Sequence, residues 1–126
     1  MATLTETQIH GATARMDIHQ VVKALNDVLG STLVAALTGS KDRKQPIRWA
    51  KPNGPKPSTD FTRRLQLAHR LWTSLEQAEG EHIARGWFIG GNPLLDEDTP
   101  LTAIREDRAK EVTAAAASFI EGAGGA

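Results

Sequence analysis

The stretch at residues 58–78, STDFTRRLQLAHRLWTSLEQA, carries the clearest periodic pattern in this 126-residue chain. Its apolar side chains recur at the 3.6-residue spacing of a helix with one buried face. They are Phe61, Leu65, Ala68, Leu71, Trp72, Leu75 and Ala78. Ser58 or Asp60 can cap the start, and Gly80 interrupts the pattern. The pattern predicts one long helix.

Two shorter helices are predicted before it. Residues 17–30 hold apolar side chains at helical spacing, with Asp17 as a candidate cap and a glycine at the end. Residues 31–37 follow directly, with Ser31 as a candidate cap and Gly39 as the stop. The first 15 residues lack a sustained apolar period, so we expect a flexible lead-in there.

The segment at residues 40–51, SKDRKQPIRWAK, predicts a third, basic helix. Pro46 fits only within the first turn of a helix, so this helix may begin as late as Gln45. The proline-rich residues 52–57 then stop it. Two short helices joined at Gly39-Ser40, the second of them basic, satisfy the requirements of a helix-turn-helix.

Short helices are also predicted after the long one. They cover residues 81–89, 101–106 and 108–121, with a turn at Asn92-Pro93, an acidic loop at 96–98, a helix start at Thr99-Pro100 and a tail at 122–126. No run of alternating apolar residues predicts a strand. We therefore expect an all-α fold with four parts: a lead-in at 1–15, a helix-turn-helix region at 16–57, a connecting helix at 58–80 and a helical partner-binding domain at 81–126.

Charge is divided between the two halves of the chain although the formal net charge is zero. Residues 1–70 hold 11 Lys/Arg against 5 Asp/Glu, and residues 71–126 hold 4 against 10. Residues 41–70 alone carry a net charge of +7. This separation of charge indicates that one face binds an anion and another face binds a different partner. The alternative is a polar surface that only contacts solvent.

A helix-turn-helix would direct the basic side chains of the third helix toward double-stranded DNA. The candidate DNA-binding residues are Lys41, Arg43, Lys44, Gln45, Arg48 and Lys51, with Arg63 and Arg64 as additional phosphate contacts. A basic hairpin without a ligand is the alternative for the first six. Arg63 and Arg64 could equally do no more than solvate the exposed face of the long helix.

The residue inventory points away from catalysis. The chain has no cysteine, and its four histidines lack metal-ligand spacing, so we expect surface or boundary histidines, no metal and no cofactor. No nucleophile motif or phosphate-binding loop is present, so we predict that the protein is not an enzyme. No stretch of about 18 apolar residues is present to span a membrane, and we expect a cytoplasmic location.

Trp87-Phe88-Ile89 are three adjacent large apolar residues in a chain with only six aromatic ones. One helical turn cannot direct all three into the same core. At least one should therefore lie near a surface that meets a partner or a second copy of the chain. A short helix buried on two sides is the alternative.

Residues 83–105 resemble the toxin-binding domain of the Xre/MbcA/ParS antitoxin family, in which a tryptophan precedes an Asn-Pro-Leu turn and a Thr-Pro helix start. The matching positions are Trp87, Asn92, Pro93, Leu94, Thr99 and Pro100. Arg48-Trp49 is similar to the Arg-Trp that ends the recognition helix in this family. The resemblance covers about residues 17–121, and Pro46 and the segment at 52–57 depart from it.

The resemblance implies an antitoxin that neutralises a RES-type toxin, an enzyme that destroys NAD, and that represses its own operon. It implies that Trp87, Phe88 and the residues from Asn92 to Pro100 shape the toxin-binding lobe, with residues 108–126 near the toxin. We expect a homodimer or hetero-oligomer. The alternatives are a phage or host repressor without a toxin, and an adaptor that binds protein but not DNA.

Overall fold

The computed structural model describes residues 3–125, and side chains up to residue 122. Over these residues it is all-helical, as predicted, with eight α-helices and one 3₁₀ turn at Pro93–Leu95. The helices are α1 Glu6–Arg15, α2 Ile18–Leu29, α3 Ser31–Thr38, α4 Gln45–Trp49, α5 Thr59–Glu79, α6 Glu81–Ile89, α7 Pro100–Arg105 and α8 Ala109–Gly125.

Helix α5 is the long helix that the sequence predicted, and it lies at the centre of the fold. The Ser58 side chain caps it by accepting a hydrogen bond from the Phe61 N–H at 3.2 Å. At the other end Gly80 takes a positive φ of 86°, a conformation in which side chains with a Cβ are strained. Helices α1, α2, α3, α6, α7 and α8 all contact α5.

A single hydrophobic core runs through both halves of the chain. It joins buried side chains from α2 to α8, including Val22, Leu37, Leu75 and Ile104. Because α5 contributes to this core along its length, it is more than a connector between two lobes. We therefore expect the described residues to unfold as one cooperative unit.

The predicted flexible lead-in at residues 1–15 is wrong for residues 6–15, which form α1. Thr5 and Gln8 form a reciprocal capping box at its start. Ile9 and Thr13 are buried against α5, where the Thr13 hydroxyl lies 2.8 Å from Nδ1 of His69. The prediction failed because α1 buries only one residue per turn, which leaves no apolar period to detect. Residues 1 and 2 lie outside the described residues.

Two smaller predictions also need correction. Gly30, not Ser31, occupies the N-cap of α3. The predicted tail at 122–126 is helical as far as Gly125, and Ala126 lies outside the described residues. Asp17 does occupy the N-cap of α2, although its side chain makes no capping hydrogen bond.

Candidate functional site

The basic side chains of residues 41–51 form one exposed segment, which we call the basic turn. Its charged members are Lys41, Arg43, Lys44, Arg48 and Lys51, all exposed, with Asp42 as the only acid. Asp42 organises the turn, because its carboxylate accepts the Lys44 N–H at 2.9 Å and pairs with the Arg48 guanidinium. The hydrogen bond from Arg48 is the main cause that lowers the pKa of Asp42.

Helix α4 carries the C-terminal part of the basic turn and is fixed to α2 by two side chains. The Nδ1–H of His19 donates to the Trp49 carbonyl at 2.7 Å, and Nδ2 of Asn26 donates to the Pro46 carbonyl at 3.0 Å. The Trp49 ring is buried and packs on Phe61, with 5.6 Å between ring centroids. His19 is thus buried, which corrects its predicted surface or boundary position.

The predicted recognition helix is shorter than the recognition helix of most helix-turn-helix proteins. It begins at Gln45, with Pro46 in its first turn as the sequence required, but it ends after five residues. Lys41, Arg43 and Lys44 precede it in a loop. Gln45, a candidate for pairing with adenine, is partly buried and accepts the Ser40 hydroxyl at 2.7 Å. The geometry favours phosphate contacts from the loop over base reading from the helix.

Arg63 and Arg64 contact other parts of the chain instead of extending the basic turn. Arg64 donates to both carboxylate oxygens of Asp107, at 3.0 and 2.9 Å, and to the Thr38 carbonyl at the end of α3, at 2.6 Å. Arg63 lies 3.1 Å from Asp60 and 3.3 Å from Asp107. These contacts join α3, α5 and the start of α8, so both arginines have a structural role here.

Replacing Asp107 by asparagine should reduce stability at neutral pH. The hydrogen bond from Arg64 lowers the pKa of Asp107 against the opposing effect of burial. The charge-dependent stabilisation is therefore present above about pH 4, the pKa of an unfolded aspartate, and is lost as pH falls through the lowered folded value. Because the side chain is 39% exposed, we expect a loss of about 1 kcal/mol or less.

Urea denaturation of the wild type and the Asp107→Asn variant at pH 7 and pH 3 checks this prediction. Asparagine suits the positive φ of 60° at this position, so the substitution isolates the charge. The difference in stability at pH 7 should narrow when the pH is lowered to 3. A difference that persists unchanged at pH 3 would contradict the role given to the charge.

The second surface is an apolar groove between α6 and α8, which we call the α6–α8 groove. Its volume is about 460 Å³. Its lining residues are Ile83, Gly86, Trp87, Gly90, Gly91, Asn92, Pro93 and Phe119. Exposed apolar side chains flank it, with Leu94 at 59% exposure and Ile89 also largely exposed. Such a cluster is typical of a protein-binding surface.

Trp87 gives the groove an unsatisfied polar group. Its indole Nε1–H is buried and has no hydrogen-bond partner among the described residues. A buried donor without an acceptor is unfavourable and is rare in folded proteins.

The segment at residues 90–99 holds a tight turn beside the groove. Asn92 organises it: its side-chain oxygen accepts the Leu94 N–H at 2.9 Å, and its carbonyl accepts the Glu97 N–H at 2.9 Å. Arg108 fastens the turn to α8 through an ion pair with Asp98 at 2.9 Å. The result is a fixed loop that presents Leu94 beside the acidic residues 96–98.

The predicted partner-binding residues divide into three groups. Pro93 and Trp87 line the groove, although Trp87 is only 8% exposed, and Leu94 follows Pro93 and is largely exposed. Phe88 and Pro100 are buried, so their contact with a partner stays a prediction. Asn92 and Thr99 act as caps of the turn and of α7, and Thr99 accepts the Thr102 N–H at 3.1 Å. Most of the predicted partner-binding residues therefore hold the groove and its turn in place, and few of them are exposed.

Sequence reasoning missed five lining residues of the groove: Ile83, Gly86, Gly90, Gly91 and Phe119. Ile83 and Gly86 are three positions apart in α6, Gly90 caps its C-terminal end, and Phe119 faces them from α8. Gly86 falls within the helix predicted at 81–89 and Gly90 at its end, and neither was given a role in a site. The common helical face of Ile83 and Gly86 was the signal that could have identified the groove.

The other predicted features concern chemistry and membranes. Over residues 3–125, no group of three or more His, Asp or Glu side chains is placed to hold a metal ion. None of the helices described in the structure is long and apolar enough to cross a membrane.

Comparisons with family models, with curated protein sequences and with solved structures found no match to this chain. The function must therefore be argued from the two surfaces themselves.

Proposed function

We propose that this chain is the antitoxin of a toxin–antitoxin pair. Its α6–α8 groove binds a RES-type, NAD-degrading toxin, and its basic turn binds the DNA of its own operon. The observation that carries the proposal is the groove: Ile83, Trp87 and Pro93 line it, within the stretch that resembles the family's toxin-binding domain. The proposed class is a regulator with two partners and no catalytic activity.

The charges around the groove favour a basic partner surface. Residues 96–98 place three carboxylates next to Leu94, and only Asp98 is paired, with Arg108. An apolar contact ringed by charge of one sign is typical of interfaces that gain association rate and specificity from a partner of the opposite sign. A toxin whose active-site entrance binds the phosphates of NAD would offer positive charge.

Replacing Leu94 by aspartate should abolish neutralisation of the toxin. The substitution puts a carboxylate into the apolar contact, and we expect affinity for the toxin to fall at least tenfold, or about 1.4 kcal/mol. The side chain is exposed, so the stability of the free protein should change by no more than about 0.5 kcal/mol. The test coexpresses the chain with the RES-type protein of the same operon and measures cellular NAD.

Leu4→Asp provides the matched control, because Leu4 is also an exposed leucine, at 43%, and lies near the C-terminal end of α5, where it bonds Gln77. NAD should be preserved with the wild type and Leu4→Asp and depleted with Leu94→Asp. Equal protection by all three proteins would remove the groove from the proposal. If the operon encodes no RES-type protein, the alternative of a transcriptional repressor that has no toxin partner would be favoured.

Replacing Lys44 by alanine should weaken DNA binding and reduce its salt dependence. Lys44 is exposed in the basic turn, and none of the ion pairs of the described residues includes it. Loss of one phosphate contact should reduce the slope of log K against log salt by about 0.9. The measurement is fluorescence anisotropy with the upstream DNA and with a scrambled duplex over a salt series.

Lys110→Ala is the control for this experiment, because Lys110 is an exposed lysine in the acidic half. It should retain the wild-type slope. If both variants behave as the wild type does, or if the wild type does not bind the upstream DNA, the DNA-binding part of the proposal fails. In that case the remaining alternative would be an adaptor that binds protein but not DNA.

A further inference from the structure

A cavity of about 140 Å³ lies between α1, α5 and α8, away from both surfaces described above. Its wall is largely apolar and is built from Ile9, Leu67, Leu71, Ala116, Ala117 and Ile120. The polar residues that also line it are Glu6, His10, Arg70, Ser74 and Thr113. Helix α1, which the sequence did not predict, supplies one side of the cavity.

Arg70 is the unusual member of this lining. It is partly buried, and burial lowers the pKa of its guanidinium, with no carboxylate opposing that effect. It takes part in no ion pair or hydrogen bond among residues 3–122. A guanidinium that loses part of its hydration without gaining a counter-charge is disfavoured, and partly buried arginines are usually paired.

The other partly buried arginines of this chain follow the usual rule. Arg64 binds Asp107 and a carbonyl group, and Arg85 binds Glu81 and the Val28 carbonyl. Arg108 binds Asp98 and Glu111. Arg70 is thus the exception, and it is one of the residues that line the cavity.

We propose that this cavity binds a small organic anion, a carboxylate with a short aliphatic chain. The carboxylate pairs with the Arg70 guanidinium, which can donate two parallel hydrogen bonds to it. The Ser74 hydroxyl, one helical turn further along α5, lines the same cavity and can donate a third. The aliphatic chain packs on Ile9, Leu71 and Ile120 and is thereby removed from water.

The size of the cavity sets the length of the ligand. An apolar protein cavity of about 150 Å³ accommodates benzene, which has six heavy atoms. Butanoate also has six heavy atoms and combines a carboxylate with three apolar carbons. It is therefore a suitable probe for this site.

Glu6 gives the proposal a second, opposite prediction. It lines the cavity but is exposed in the first turn of α1, so its charge lies at the rim. Because this charge repels an incoming carboxylate, its removal should tighten binding. Loss of the Arg70 charge should weaken binding.

Isothermal titration calorimetry and amide chemical shifts with butanoate test the proposal. The wild type should bind with a Kd on the order of 1 mM, a value within the efficiency reached by ligands of this size. Shifts should centre on Ile9, Ser74 and Ile120. Arg70→Gln should raise the Kd at least about tenfold. Glu6→Gln should lower it, and Arg63→Gln, on the exposed face of the same helix, should leave it unchanged.

Two further probes separate the charge from the aliphatic chain. Butylammonium has the same number of carbon atoms and the opposite charge, and it should not bind. Inorganic phosphate has the charge without the chain and should bind more weakly than butanoate. Absence of butanoate binding, equal binding of butylammonium or phosphate, or a Glu6→Gln variant that binds more weakly would each overturn the proposal. The Glu6→Gln result does so even if Arg70→Gln fails to fold.

Discussion

Replacing Trp49 by alanine is expected to destabilise the protein by about 3–5 kcal/mol, the range for removal of a large buried aromatic side chain. The ring is 1% exposed and packs on Phe61 and on the core that joins α2 to α5. The lost ring leaves a cavity that the five-residue helix α4 is too short to fill. Because domains of this size are stable by about 5–15 kcal/mol, the loss is a large fraction of the total.

Urea denaturation followed by circular dichroism measures this effect. Ile47→Ala is the matched control, because Ile47 is in the same helix but is 51% exposed, and it should change stability by no more than about 0.5 kcal/mol. A Trp49→Ala protein as stable as the control would mean that α4 does not depend on the Trp49 anchor. The orientation of the basic turn would then need another explanation.

Replacing Phe88 by alanine should have an effect of similar size, about 3–5 kcal/mol. Phe88 is 0% exposed and lies between two tryptophans, with ring centroids 6.2 Å from Trp72 and 5.3 Å from Trp87. The contact with Trp87 is edge-to-face, a favoured arrangement of aromatic rings. Its loss would also release Trp87, which lines the α6–α8 groove.

Substitutions at Phe88 and its neighbour also distinguish a role in core packing from a role in contact with a partner. Ile89→Ala, next to Phe88 but exposed, should be nearly neutral for stability when measured by the same urea denaturation. Phe88→Leu keeps an apolar side chain in the core and should retain binding to the toxin. If Phe88→Leu folds normally yet loses the toxin, Phe88 contacts the partner after all, and the groove must open on binding.

The strongly periodic parts of the chain were predicted correctly from sequence. Helices α2 and α5 each bury a continuous apolar stripe, so the pattern determines both their type and their extent. The short length of α4 followed from the position of Pro46. Helix α1 was missed because its stability comes from a capping box and from tertiary contacts of Ile9 and Thr13, which a periodic pattern does not record.

The candidate sites were predicted less completely, because residue type does not reveal intramolecular partners. Arg64 was a candidate for a phosphate contact or for a solvated helix face, but Asp107, 43 positions away, holds its guanidinium. Prolines and asparagines of a short motif can bind a partner or shape a turn, and here Asn92 and Pro100 shape the turn and α7. Leu94 is largely exposed, as a partner-binding residue must be, and its contact with a partner stays a prediction.

The central claim is that two separate surfaces bind two different partners. The most direct measurement determines the affinities of the Leu94→Asp and Lys44→Ala variants for both the RES-type toxin and the upstream DNA. The proposal predicts that Leu94→Asp loses the toxin and keeps the DNA, and that Lys44→Ala does the reverse. If either variant weakens both interactions equally, or if neither variant weakens any interaction, the assignment of function to these two surfaces is contradicted.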